Sequence, residues 1–239
     1  MKPRHLLITE ARYKFLAESL SDILETRYVP FTDLCLEDLA WADSWVGTRP
    51  PITPVASNIR WFHAGTVGVD LFHELFDDFI ATGARLTHTV GTMPHRIGEF
   101  VVATVLAHVR ELNRFKAQEN DAEWWPGEDE AAMGMRAVVI GTGRIGSATA
   151  RLLQPFVGRV DGLSRSGRHR AGFETVRPLG DPGDLLEKAN IVVVVLPKTP
   201  ETAHVIDADV FGQMAGAIFV NVGRGVTVDH EALRVALRG

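Results

Sequence analysis

The clearest chemical signal in this chain is a set of three spaced glycines, Gly141-Thr142-Gly143-Arg144-Ile145-Gly146. The first glycine of such a set permits a tight turn off a strand. The second lets the backbone approach a pyrophosphate, and the third lets a helix pack close to the sheet. A diphosphate seated there meets backbone N–H groups and the positive end of a helix dipole. The glycines alone are weak evidence, because an ordinary strand-turn-helix can carry them. Their context is stronger: the apolar run Ala137 to Ile140 precedes them, and Ala148, Leu152 and Leu153 give the next segment an apolar side. A second strand-like run follows at Arg159 to Leu163.

The end of that second strand is where the ribose of a dinucleotide would be read. Ser164-Arg165-Ser166-Gly167-Arg168 offers two guanidiniums and two hydroxyls, which suit a 2′-phosphate and therefore NADP. Asp161 is the rival reader and would favour NAD, but it lies mid-strand. NADP is the preferred cofactor on this reading, with NAD the alternative. For Arg165 and Arg168 the plain alternative is a solvated loop.

Other chemistries find less support. The nine histidines show no metal-ligand spacing with carboxylates or the lone cysteine, so no metal is expected. A net charge of −5 argues against a nucleic-acid partner, which would call for clustered Lys and Arg. The one cysteine, Cys35, excludes an intrachain disulfide and fits a reducing compartment. Between Leu34 and Leu36 it reads as a small buried hydrophobe. The run at Met1 to Ile8 is too short for a signal peptide, and no apolar stretch is long enough to span a bilayer. A soluble, cytoplasmic protein is the expectation.

The elements that must hold these residues alternate. Strand-like runs at His5 to Thr9, Arg27 to Pro30, Ser44 to Gly47, Asn58 to His63 and Leu86 to Val90 are interleaved with a helical pattern at Ala11 to Leu24 and a loop marked by Pro50, Pro51 and Pro54. Ile97, Val101, Val105, Val109 and Leu112 predict one long helix from about His95 to Gln118. Glu119 to Met135 is charged, lacks a clear period and holds Trp124-Trp125. It reads as an arm whose tryptophans pack locally or against a partner subunit. From Arg136 the alternation resumes, with strands at Ala137 to Ile140, Arg159 to Leu163, Ile191 to Leu196 and Ala217 to Val222. Helices are expected at Ser147 to Gln154, around Leu185 to Lys188, at Ala208 to Met214 and at Asp229 to Leu237. The fold class is α/β, with two open parallel-sheet domains: residues 1–94, a joining helix and arm over 95–135, and a dinucleotide-binding domain over 136–239.

Four motifs in order resemble the D-2-hydroxyacid dehydrogenase family over nearly the whole chain. Trp61-Phe62-His63-Ala64-Gly65-Thr66-Val67-Gly68-Val69-Asp70 looks like the family's substrate loop. Glu99 stands where the family carries a glutamate early in its interdomain helix. Leu196-Pro197-Lys198-Thr199-Pro200-Glu201-Thr202 and Asn221-Val222-Gly223-Arg224-Gly225 are similar to its later signatures. The Ser-Arg-Ser segment looks most like the glyoxylate and hydroxypyruvate reductase branch.

The resemblance implies a flavodoxin-like first domain, a Rossmann-type second domain and reduction of a small 2-oxo acid by NAD(P)H. Arg224 would clamp the substrate carboxylate and polarise its carbonyl. The N–H groups of Thr66, Val67 and Gly68 would hold the carboxylate from the other domain. Gly141, Thr142, Gly143, Arg144, Ile145, Gly146, Ser164, Arg165, Ser166, Leu196, Pro197, Thr202, Val222 and Gly223 would line the cofactor. A homodimer through the long helix and the Trp124-Trp125 arm is expected.

The family's acid/base histidine and its glutamate follow the arginine motif by some tens of residues, whereas this sequence stops fifteen residues past Arg224. Met93-Pro94-His95 imitates the family's Pro-His motif out of order, and His230 reads as a surface residue at a helix start. The expectation is a fragment or a C-terminally truncated product with an incomplete second sheet and impaired activity. A non-catalytic dinucleotide-binding or interaction protein is the alternative. A methyltransferase with a related sheet would leave the Asn-x-x-Arg-Gly motif without a role.

Overall fold

A computed structural model describes residues 4–49, 58–75, 83–91, 93–121 and 131–238. The arm tryptophans Trp124 and Trp125 and the proline loop at Pro50, Pro51 and Pro54 fall outside them. The chain divides into two compact units, Met1–Gly91 and Thr92–Gly239.

The first unit is built on strands β1 (His5–Ile8), β2 (Glu25–Tyr28), β3 (Ser44–Gly47), β4 (Trp61–Ala64) and β5 (Arg85–His88). They form one sheet in the order β2-β1-β3-β4-β5, with every neighbouring pair parallel. Alternation sends Leu7, Trp45 and Phe62 to one face and Leu6, Ile8 and Val46 to the other. The expected helix at Ala11 to Leu24 is shorter than its periodicity suggested: a 3-10 turn (Ala11–Tyr13) leads into one short helix (Phe15–Ser19). Cys35 is exposed rather than buried. It caps the helix Leu36–Trp41, and its Sγ lies 3.1 Å from Asp38 Oδ2. A cap position faces solvent whatever its leucine neighbours do.

The second unit carries β6 (Arg136–Ile140), β7 (Arg159–Ser164), β8 (Val176–Pro178), β9 (Ile191–Val194) and β10 (Ile218–Asn221), ordered β10-β9-β6-β7-β8 and parallel throughout. Both sheets are therefore the open parallel sheets the alternation predicted. The central strands are buried on both faces, which explains the unbroken apolar runs of β6 and β9.

The long helical segment is two helices, Met93–Val109 and Leu112–Asp121, broken at Glu111 with φ +48°. The first buries Pro94, Gly98, Val101, Val105 and Val109, a stripe at helical spacing. It packs on the helix Arg144–Leu153. Gly98 permits the close approach, since a Cβ there would sit 2.7 Å from Leu152 Cδ1 and 3.3 Å from Thr149 Cα. Leu185 to Lys188 forms turns rather than the expected helix, and the edge strand β8 was not anticipated.

Candidate functional site

The C-terminal end of the second sheet collects most of the predicted residues, as open parallel sheets favour. The β6 strand ends at Ile140 and turns at Gly141, whose φ of +107° only glycine adopts readily. A Cβ on Gly141 would lie 2.6 Å from the Val195 carbonyl oxygen, and one on Gly146 would lie 1.9 Å from the Gly141 carbonyl oxygen. Gly143 differs, because a Cβ there would meet nothing within 4 Å. Two glycines are thus required by the protein's own packing, while the middle one faces open space. Gly143 is also the N-cap of helix Arg144–Leu153, and among the described residues no side chain caps this helix start. The amides of Arg144, Ile145 and Gly146 present the positive end of the helix there. Thr142 is buried, and its carbonyl accepts from Ser147 Oγ at 3.2 Å.

The β7 strand ends at Ser164. Ser164 Oγ accepts from the Gly167 amide at 3.1 Å, and Ser166 Oγ accepts from the Arg168 amide at 3.4 Å. These hydroxyls shape a tight turn around Gly167, at φ +62°. Arg165 projects from this turn close enough to Glu201 for its charge to be felt there. The Glu201 carboxyl is held below the usual range by the Thr199 side chain first and its own backbone amide second, with Arg165 adding less.

Asp161 is buried and fully occupied. Arg159 donates to it from Nε at 2.6 Å and from Nη2 at 2.9 Å, and the Thr175 amide donates at 3.0 Å. It ties β7 to the segment before β8.

The β9 strand leads into Leu196-Pro197, and β10 into Val222-Gly223. The amides of Val222 and Gly223 both donate to the Val194 carbonyl, at 3.0 and 3.1 Å. A Cβ on Gly223 would lie 2.6 Å from Leu196 O, so the two loops press backbone on backbone. Thr202 Oγ1 donates to Pro197 O at 2.6 Å and accepts from the Thr199 amide at 2.9 Å. Its hydroxyl closes this loop from within. Thr199 caps the turn Pro200–Thr202 with Pro200 in the first position.

Arg224 is half-buried at the start of the next turn. Asn221 holds that turn at both ends: its Oδ1 accepts from the Gly223 amide at 2.9 Å and its Nδ2 donates to Arg224 O at 3.3 Å. Thr227 Oγ1 adds a bond to the same carbonyl at 2.7 Å. Asn221 is a positioning residue that the sequence offered only as part of a motif. His230 is exposed at the start of helix His230–Ala236, next to the capping Asp229. Among the described residues no three His, Cys, Asp or Glu side chains gather in a way that could hold a metal ion.

In the first unit, the loop after β4 carries Thr66, Val67 and Gly68. Three carbonyls of this segment, those of Gly65, Val67 and Gly68, are taken. Tyr13 Oη donates to Gly65 O at 3.0 Å, His88 Nδ1 to Val67 O at 3.0 Å and Thr66 Oγ1 to Gly68 O at 2.7 Å. Its amides are not: among the described residues, none of Thr66, Val67 and Gly68 donates a backbone hydrogen bond. Successive unused amides in a turn are a general way for backbone to receive an anion. Nearby, His63 has both ring nitrogens engaged, by Thr87 Oγ1 at 2.9 Å and Thr89 Oγ1 at 3.0 Å. Burial, then the charge of His88, lowers its basicity.

Comparison with known proteins gives these features relatives. Residues 102–239 match the family model described as D-isomer specific 2-hydroxyacid dehydrogenase, NAD binding domain. An uncharacterized protein of the mprR 3′ region of Streptomyces coelicolor is 37% identical over 186 residues, covering 75% of this chain and 64% of the relative. A glyoxylate reductase of Thermofilum pendens is 32% identical over 197 residues, covering 78% of this chain and 57% of the relative. The chain thus spans less than two thirds of either relative. Among solved structures, a D-isomer specific 2-hydroxyacid dehydrogenase family protein of Aeromonas salmonicida superposes with a TM-score of 0.88 at 29% identity, over 99% of this chain and 78% of that one. A D-isomer specific 2-hydroxyacid dehydrogenase of Xanthobacter autotrophicus, solved with NADPH and MES, gives 0.81 at 26% identity with the same coverages.

Proposed function

This chain belongs to the D-isomer specific 2-hydroxyacid dehydrogenase family, and on that premise we propose that it binds NADPH and a small 2-oxo acid of the glyoxylate or hydroxypyruvate type. The observation that carries the substrate class is the row of unused amides at Thr66, Val67 and Gly68. Such a receptor suits a compact carboxylate. In the second unit, Arg224 offers a guanidinium fork of the kind that holds a carboxylate and polarises a carbonyl oxygen as negative charge develops on it.

The cofactor reading rests on the open face at Gly143 and the helix start beyond it, which fit a pyrophosphate. Ser164, Arg165 and Ser166 would read the 2′ position, with Leu196, Pro197, Thr202, Val222 and Gly223 framing the nicotinamide half. NADPH is favoured over NADH because Asp161 is occupied by Arg159 and Thr175, leaving a cationic strand end. The cofactor supplies the hydride; the protein's residues bind, orient and stabilise charge.

Reduction also needs a proton at the new hydroxyl. Arg224 keeps its proton at neutral pH and cannot donate it. The histidine paired with a carboxylate among the described residues is His5, 3.6 Å from Glu25. It opens β1, at the opposite strand end from the substrate loop. Residues 1–239 are therefore proposed to bind cofactor and acid while turning over slowly, since a placed general acid is worth about 10²–10⁴-fold.

A second copy of the chain is proposed to cover Phe100 and Leu112, which stand exposed on the two helices after residue 92. The functional test is direct: titrate NADPH and NADH into the chain, then follow NADPH oxidation with glyoxylate and hydroxypyruvate. Binding of neither cofactor refutes the reading. Turnover at an ordinary enzymatic rate refutes the proposal of slow turnover.

A further inference from the structure

We propose that Tyr13 and His88, which lie far from the substrate loop in sequence, are positioning residues that aim its amides at the bound anion. The inference rests on the substrate-loop reading above and adds to it the device that holds the loop. Among the described residues every peptide bond is trans, and a trans peptide is planar, so fixing a carbonyl oxygen on one side turns the following N–H to the other. Tyr13 Oη holds Gly65 O, which fixes the N–H of Thr66 pointing away from Tyr13. A carbonyl only accepts, so His88 Nδ1 carries the proton in its bond to Val67 O, and the N–H of Gly68 points away from His88. The two outer amides of the receptor are thereby set by side chains from outside the loop. Tyr13 comes from the turn after β1 and His88 from the end of β5.

The absence of a side chain at Gly65 belongs to the same device. A Cβ there would lie 2.1 Å from Tyr13 Oη, so only glycine lets the hydroxyl reach the carbonyl. Below the loop, the Gly65 amide donates to Gly47 O at 2.9 Å, which anchors its start to the neighbouring strand.

The test uses the full chain labelled with ¹⁵N and saturated with NADPH. Oxalate serves as the probe, because it has the compact carboxylate of a 2-oxo acid and cannot be reduced. In the wild type, oxalate should shift the amide resonances of Thr66, Val67 and Gly68. Tyr13→Phe should weaken oxalate about five- to tenfold, the worth of one hydrogen bond, and speed exchange of the Thr66 amide more than that of Gly68. His88→Phe should do the reverse, with Gly68 the more affected. NADPH affinity should stay within twofold in both variants, which a general loss of structure would not allow. Gly65→Ala provides an independent route, since it drives the Tyr13 hydroxyl off the carbonyl without altering Tyr13, and should match Tyr13→Phe. If oxalate shifts the loop amides and all three variants bind it within twofold of the wild type, the clamp is wrong and the substrate loop stands. If oxalate fails to shift these amides in the wild type while NADPH binds normally, the substrate-loop reading falls and the clamp falls with it.

Discussion

Substituting Gly143 and Gly146 separately by alanine should give opposite phenotypes, although both belong to one six-residue turn. At Gly146 the new methyl would lie 1.9 Å from the Gly141 carbonyl oxygen and 3.3 Å from Val139 Cγ1. Neither obstacle is a flexible chain end, so helix or turn must move. Overpacking of this kind costs about 1–3 kcal/mol or more, equivalent to roughly 2–12 °C in Tm for a chain of this size. At Gly143 the methyl meets nothing within 4 Å, and its backbone, at φ −71° and ψ −163°, is open to any L residue. Lower unfolded-state entropy favours alanine by about 0.4–1 kcal/mol, offset by roughly 0.5–1 kcal/mol for alanine's poorer capping. Gly143→Ala should therefore melt within about 2 °C of the wild type. Its methyl occupies the space assigned to the pyrophosphate, so NADPH affinity should fall by about 10–100-fold, the loss of one or two charge-assisted hydrogen bonds. Thermal melts and fluorescence titration of both variants settle the matter. Unchanged NADPH binding by Gly143→Ala would mean that the diphosphate does not lie over this turn. An undisturbed melt of Gly146→Ala would overturn the packing argument.

Arg165→Ala should cost NADPH about tenfold or more in affinity and leave NADH nearly unchanged; an NADPH preference that survives the substitution assigns the 2′ position elsewhere. Asp161→Asn should act on stability and spare the cofactor. The lost charge at a pair whose arginine is part-exposed is worth about 1–3 kcal/mol after screening, read from urea midpoints, and a drop in NADH affinity instead would restore Asp161 as a ribose reader. His63 is held less basic than a free imidazole, by burial first and His88 second, so its neutral form stabilises the fold fully above pH about 6.5. That contribution is lost as pH falls from there through the lowered value. Urea melts at pH 7.5 and 5.5 should show a decline on acidification that His63→Asn flattens; equal slopes in the two proteins would remove His63 as its source.

What the sequence made legible was local or periodic. The glycine turn could be read because its three positions and the strand before them are contiguous, and the two parallel sheets followed from alternating apolar runs. The break at Glu111 was hidden because apolar residues continue in register through Leu112 and Phe115. Leu112 turns out exposed, so its place in the apolar register did not mark a buried helix face. Leu185 to Lys188 has helical composition, but Gly183 at φ +59° and Pro182 leave too little length for a helix to nucleate. Asp161 was readable as mid-strand, while its partners at Arg159 and Thr175 needed the register of β7 against β8. Tyr13 and His88 left no signal, since their bonds to the loop span 52 and 21 residues.

The two proposed anion sites draw their backbone N–H groups from different physical routes, which bears on which of them tolerates change. In the second unit the amides are left over by helix geometry, because the first turn of any α-helix has no acceptor behind it. That supply is generic, and the glycines have only to clear space around it. In the first unit no helix start provides the surplus. The loop has the usual equal number of donors and acceptors, and three side chains take the carbonyls of Gly65, Val67 and Gly68, so those acceptors do not draw on its own amides. A receptor made in this way depends on residues that never touch the anion. Substitutions around Gly141 to Gly146 should therefore act through sterics at the turn itself. The affinity of the substrate loop should instead respond to changes in the β1 turn and at the end of β5, elements that a search for ligand contacts would pass over.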